Sequence, residues 1–145
     1  MEMTGCGFLD LLEIKFVEKG PEKVVARMPI RSEITQPFGY VHGGATISLL
    51  ETVASYGAGY YADLAVERPF GIQCEIRHVK SGESGFVEGV AELDRIEGNK
   101  QIWAVTAFDD EGDVMSTGTF VTKVVSLVRL EEKARERSEA KNMRR

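Results

Sequence analysis

The sequence predicts an α+β fold in which an antiparallel sheet packs against one long helix. Three observations lead there. Short aliphatic runs bounded by turn residues recur along most of the chain, a single helical stretch interrupts them after residue 44, and no helix separates the later runs. Strands that follow one another without crossover helices cannot pair in parallel. With 145 residues the chain can bury one real core without covalent staples, so one domain is expected.

The elements follow in order. Residues 11–17 (LLEIKFV) and 23–30 (KVVARMPI) flank the turn-like EKGPE and read as a β-hairpin. Residues 31–44 (RSEITQPFGYVHGG) are turn-rich, with Pro37 and Gly39 breaking any regular element. From Ala45 the apolar spacing becomes helical at Ile47, Leu50, Val53, Ala54 and Gly57, with Leu49, Tyr56 and Tyr60 on other faces. A helix apolar on most sides is a buried one, and it is placed at about Thr46 to Tyr61. Four strands follow at 70–80, 86–94, 101–109 and 114–125, joined by the turn segments SGESG, RIEGN and DEGD. The order is β-β-α-β-β-β-β. Residues 1–125 form the expected domain. Residues 126–145 are a charged tail, expected to be a loose solvated helix or disordered, or else a partner-binding segment.

Composition narrows the function. Apolar residues at 43% and charged residues at 28% are ordinary for a soluble globular protein, and a net charge of −5 without a basic stripe argues against nucleic acid. Cys6 and Cys74 make no disulfide framework and are expected to be reduced thiols. The first ten residues hold no signal-like apolar core, and no apolar run approaches the roughly 20 residues of a membrane span, so a cytoplasmic protein is expected.

One carboxylate stands out. Between His42 and Asp63 the only charged side chain is Glu51, in mid-helix within a segment apolar enough to be core. Ionised carboxylates are rarely buried unless paired or used. Ser55 lies one turn along on the same face, and His42-Gly43-Gly44 immediately precedes the helix. Glycines admit close approach to the backbone, and the unpaired first-turn amides of a helix can polarise a carbonyl. The plainer alternatives are that Glu51 sits on a narrow solvated or subunit-facing stripe and that His42 bonds local backbone.

Residues 36–51, QPFGYVHGGATISLLE, closely resemble the motif of hotdog-fold acyl-CoA thioesterases of the PaaI-like group. The likeness is nearest to their aryl-CoA branch, which includes 1,4-dihydroxy-2-naphthoyl-CoA thioesterases and the proofreading thioesterase of enterobactin synthesis. In that branch a Gln precedes Pro-x-Gly, HGG follows, and a Glu stands nine residues after the His. The likeness continues through residues 71–85 and more weakly through 102–116, and covers roughly residues 6–125. It implies the hotdog fold, a sheet wrapped around the helix, and hydrolysis of an acyl-CoA thioester, aromatic acyl groups favoured. By the same resemblance Glu51 acts as nucleophile or general base, Gly43 donates its N–H to the thioester oxygen, Gln36 fixes that loop, His42 sits by the departing thiolate and Ser55 orients water or the acyl group. His78, Lys80, Ser81, Gly98 and Asn99 are implied at the CoA end, with Lys80 where relatives tend to carry Arg; an ordinary surface lysine and a satisfied strand histidine are the alternatives. Phe38, Tyr40 and Tyr56 are candidate walls of the acyl pocket. The site is implied to lie between two subunits, one supplying Gln36, His42 and Gly43 and the other Glu51 and Ser55, so a homodimer is the minimum and a homotetramer is expected.

Other patterns are set aside. Gly57-Ala58-Gly59-Tyr60-Tyr61-Ala62 fits a dinucleotide fingerprint formally but ends a helix, where small residues instead permit close helix–sheet packing. Two histidines without ligand-spaced neighbours predict no zinc site, and no GxSxG is present. No metal or cofactor is expected beyond the CoA thioester as substrate. Trp103 and Phe108 are expected in the core or an interface. The rivals are a noncatalytic acyl-CoA-binding sensor and a hotdog hydroxyacyl dehydratase, which the HGG-plus-Gln pattern fits less well.

Overall fold

A computed structural model describes Gly5 and residues 7–145. The expectation for Cys6 and most of that for the first residues lie outside this range; Cys74 is a free, exposed thiol. A short helix α1 (Gly7–Leu11) is followed by strands β1 (Lys15–Lys19) and β2 (Lys23–Pro29), the long helix α2 (Gly43–Ala58), strands β3 (Glu67–His78), β4 (Phe86–Glu97), β5 (Lys100–Phe108) and β6 (Val114–Ser126), and a terminal helix α3 (Leu127–Met143). All neighbouring strands are antiparallel, in the spatial order β1-β2-β4-β5-β6-β3.

The expected order of elements holds, with three local differences. α1 and a left-handed residue, Glu13 at φ 53°, occupy the start of the expected first strand, which begins at Lys15 instead of residue 11. α2 begins at Gly43, three residues ahead of expectation, because His42 serves as the N-cap and so brings the two glycines into the first turn. A 3-10 turn, Gly59–Tyr61, carries its end to the expected boundary. The tail is helical, capped by the Ser126 side chain accepting from the Arg129 N–H, and none of its residues is buried. Among the described residues no helix is long and apolar enough to cross a membrane.

The core lies between α2 and one face of the sheet. Alternation along β2 places Val24, Ala26 and Met28 inward, and Val87, Ala91, Trp103, Val105 and Phe120 do the same on the strands beyond. Leu49, Leu50, Val53 and Ala54 cover them from the helix. Close approach needs small residues at two points. A Cβ on Gly57 would stand 2.5 Å from the Trp103 ring, and one on Gly89 would stand 2.7 Å from Leu49. The small residues near the end of α2 therefore serve packing, as the sequence suggests.

β3 is the element that matters most for the site. It follows α2 yet, among the described residues, pairs only with β6, at an edge of the sheet, and no strand lies beside its outer backbone groups. Phe70 and Ile72 are exposed along it.

Candidate active site

The loop ahead of α2 is a tight, self-bonded hairpin. Gly39 N–H donates to the Gln36 carbonyl at 2.9 Å, Gln36 N–H donates to the Tyr40 carbonyl at 2.8 Å, and Thr35 bridges to Val41. Pro37 supplies the fixed φ that suits the second position of such a turn. Gln36 Oε1 accepts from the Phe38 N–H, so this side chain fixes the loop from within. His42 Nδ1 accepts from Gly44 N–H at 2.9 Å, which in a neutral ring assigns the proton to Nε2. Local capping, the plain alternative for His42, is therefore realised, and Nε2–H is left over as a donor. Gly43 N–H, in contrast, has no acceptor among the described residues. It is a free donor at the positive end of a 16-residue helix.

His78 comes to the same place from β3. Its Nδ1 lies 2.7 Å from Ser116 Oγ, and its ring packs on Gly43, where an added Cβ would stand 2.9 Å from Nε2. The glycine thus makes room for a histidine as much as for a substrate.

Glu51 is exposed in the single chain, not buried as its apolar surroundings suggest. The reason lies in the helix faces: Leu50, Val53 and Ala54 turn to the sheet, while Ser48, Glu51 and Ser55 share the flank at spacings of three and four residues. That flank opens on a cavity of about 660 Å³. Its walls include Phe8, Leu9, Tyr56, Leu64 and Pro69, and its polar lining includes Ser48, Glu51, Thr52, Ser55 and Arg68. Sequence reasoning found Glu51, Ser55 and Tyr56. It missed Ser48 and Thr52, although Ser48 stood at readable helical spacing, and it missed α1 and Arg68, for which no local signal existed.

The Glu51 carboxylate rests on the backbone of β3, where a Cβ on Gly71 would stand 2.5 Å from Oε1. Gly71 carries no left-handed φ, so alanine is compatible with its backbone. Gly71→Ala is expected to push the carboxylate aside; with Glu51 as the reacting group, that displacement would lower kcat by about 10- to 100-fold. Steady-state kinetics alongside a melting curve would check it, with little change expected in the latter.

Other expected residues are not brought together in one chain. Phe38 is 84% exposed and Tyr40 is exposed on the hairpin, away from the walls that Tyr56 helps to form. Gly43 and Glu51 are eight residues apart on α2, or about 12 Å along its axis. The residues expected at the CoA end are divided. His78, Lys80 and the exposed Ser81 lie where β3 meets the start of β6, whereas Gly98 and Asn99 form the β4–β5 turn at the opposite end of the sheet. Asn99 Nδ2 is donated to the Val124 carbonyl there.

Lys80 is already engaged. Its Nζ donates to Asp109 at 2.6 Å and Asp113 at 2.7 Å, which raises its pKa further above the usual lysine value. A phosphate would have to compete with two carboxylates for it, which favours the plain surface-lysine alternative. The ammonium thus already neutralises two of the three carboxylates that Asp109, Glu111 and Asp113 bring together. The Lys80 hydrogen bond, followed by those from the Asp113 and Glu111 N–H groups, holds the Asp109 carboxyl below its ordinary value. A depressed folded-state pKa means that the stabilisation is present above the unfolded-state value and is lost as pH falls through the folded one. A carboxyl-carbon NMR titration is therefore expected to give Asp109 a midpoint below the usual aspartate value, and Lys80→Met is expected to move it upward.

Comparison with known proteins accords with this geometry. A family described as the thioesterase superfamily matches residues 38–116. The 1,4-dihydroxy-2-naphthoyl-CoA hydrolase of Escherichia coli (strain K12) is 33% identical over 119 residues, covering 82% of this chain and 85% of its own. The proofreading thioesterase EntH of Cronobacter turicensis is 30% identical over 126 residues, covering 86% and 91%. Among solved structures, a thioesterase of Pseudomonas aeruginosa, crystallised as a glutamine-to-alanine mutant, superposes with a TM-score of 0.80 at 28% identity, over 84% of this chain and 88% of its own.

Proposed function

Since the chain belongs to the thioesterase superfamily and has its hotdog architecture, we propose that it hydrolyses an acyl-CoA thioester to the free carboxylic acid and CoA, with aromatic acyl groups favoured. The observation that carries this reading is an exposed carboxylate, Glu51, on the wall of a largely apolar cavity. Such a cavity is of the size that holds small ligands. The aromatic preference rests on the relatives' names and on the Gln36-containing motif.

The chemistry is divided between two regions of α2. Water attacks the thioester carbon while Glu51 takes its proton, or the carboxylate attacks first and water then cleaves the anhydride. In both routes the carbonyl oxygen gains negative charge, and the free Gly43 N–H at the helix start is suited to bind it. The C–S bond then breaks, and the His42 Nε2–H donates to the departing thiolate. Gln36 holds the hairpin that presents both groups, and Ser55 orients water or the acyl group beside Glu51. This reaction calls on water, side chains and the Gly43 backbone N–H, without metal or cofactor.

The groups separated by about 12 Å on one helix cannot meet at a single carbonyl. A second copy supplies the missing half, so that Gln36, His42 and Gly43 of one subunit face Glu51 and Ser55 of the other. Exposed Phe38 and Tyr40 then have the partner's cavity to cover, and the open β3 edge offers a strand for pairing across a two-fold axis. Pairing of dimers into a tetramer, contacts of His78, Ser81, Gly98 and Asn99 with CoA across such interfaces, and residence in the cytoplasm belong to the same proposal.

The test is release of CoA thiol from a panel of aromatic and aliphatic acyl-CoAs, together with sedimentation to give the assembly. Turnover that is fastest with aromatic thioesters on a dimer or tetramer is the expected result. Binding of acyl-CoAs without any thiol release would replace the enzyme with a sensor.

A further inference from the structure

The cavity beside Glu51 holds a second charge. Among the described residues that line it, Glu51 and Arg68 are the only charged ones, and no ion pair joins them. Arg68 lies near the start of the edge strand β3, opposite Val125. Its side chain folds back on the preceding turn, where Nη1 donates to the carbonyls of Leu64 (2.5 Å) and Glu67 (2.6 Å). Leu64 lines the same cavity.

These two bonds use the Nη1 side of the guanidinium only. The Nε–H and Nη2–H edge, a parallel fork, has no acceptor among the described residues. Glu67 accepts from the Asp63 N–H at 2.9 Å and Asp63 accepts from the Ala65 N–H at 3.1 Å, and among the described residues neither carboxylate forms an ion pair with Arg68. A guanidinium anchored on one side and open on the other is pre-organised, and its open edge matches the two oxygens of a carboxylate. Around it the cavity is apolar, with Phe8, Leu9, Tyr56, Leu64 and Pro69. Such a pocket suits an apolar body that ends in an anionic group.

We propose that Arg68 is a specificity-determining residue that selects acyl groups carrying a carboxylate remote from the thioester, that is, half-thioesters of dicarboxylic acids. The inference rests on the thioesterase reading of the same cavity and names its substrate class. Glu51 works on the thioester carbonyl, and Arg68 receives the far end of the acyl group.

The experiment compares 4-carboxybenzoyl-CoA with its neutral methyl ester, on the wild type and on Arg68→Met and Arg68→Lys. The expected result is a preference for the charged thioester of about 10- to 100-fold in kcat/KM, mostly through KM, as fits loss of a charge-assisted fork. Read as the ratio of kcat/KM for the charged and neutral thioesters within each variant, the preference disappears in Arg68→Met and is partly kept in Arg68→Lys. If Arg68→Met slows both substrates equally, or only lowers the melting temperature, Arg68 merely braces the turn at Leu64 and the proposal fails. Calorimetry of benzoate against neutral benzamide, on the wild type and on Arg68→Met, reads the same fork without chemistry, with only benzoate binding expected to weaken in the variant. Should no CoA thioester be cleaved, the thioesterase reading falls, while that binding comparison still decides for or against Arg68.

Discussion

Glu51→Gln is expected to lower CoA-thiol release by a factor of about 10²–10⁴, the usual contribution of a positioned base. The substitution keeps the shape of the side chain and removes its charge and basicity. Glu51 makes no ion pair among the described residues and is exposed in the chain, so the melting temperature is expected to change little. Binding of acyl-CoA is expected to survive, because the apolar walls of the cavity are untouched. A composite site adds a sharper consequence. Glu51→Gln mixed with a Gln36→Ala/His42→Ala variant would form hybrid dimers with one intact site and one doubly defective one. Random exchange of subunits should then restore about a quarter of wild-type turnover from two inactive preparations, as the half-site arithmetic of a two-fold dimer requires. Full loss with no recovery on mixing would place the whole site within one chain.

Trp103→Ala is expected to cost about 3–5 kcal/mol of folding stability, at the upper end for a single core truncation. The ring is fully buried and rests directly on Gly57 of the helix. Its Nε1–H donates to Thr122 Oγ1 at 2.9 Å, and the Thr122 hydroxyl donates in turn to Gln101 Oε1 at 2.9 Å. Thr122 and Gln101 are themselves buried, so alanine would leave both a void and a weakened polar chain. Trp103→Phe restores most of the volume but not the donor and should fall between. The readout is urea unfolding by circular dichroism, since Trp103 is the sole tryptophan and its fluorescence leaves with it. A loss below about 1 kcal/mol would mean that the helix settles onto the sheet once the ring is gone.

The succession of strands along the chain and the central helix were legible before folding, because apolar periodicity is a local property that each segment displays on its own. The candidate set Gln36, His42, Gly43, Glu51 and Ser55 was legible too, because these lie within one continuous stretch that can be matched to the motif of the thioesterases it resembles. The sequence pattern places the start of α2 too late, since a histidine cap followed by two glycines looks like a loop until the cap bond is seen. The remaining features depend on residues far apart along the chain. Which edge β3 takes is a matter of non-local pairing, and its register with β6 brings Gly71 under Glu51 and His78 onto Gly43. The same non-local pairing spends Lys80 on Asp109 and Asp113, and it carries Gly98 and Asn99 to the opposite end of the sheet. Phe8, Leu9 and Arg68 join the cavity by the same route. Hydrophobic pattern sets which face of a strand is buried but not which strand lies beside it, and a site assembled from several elements inherits that freedom.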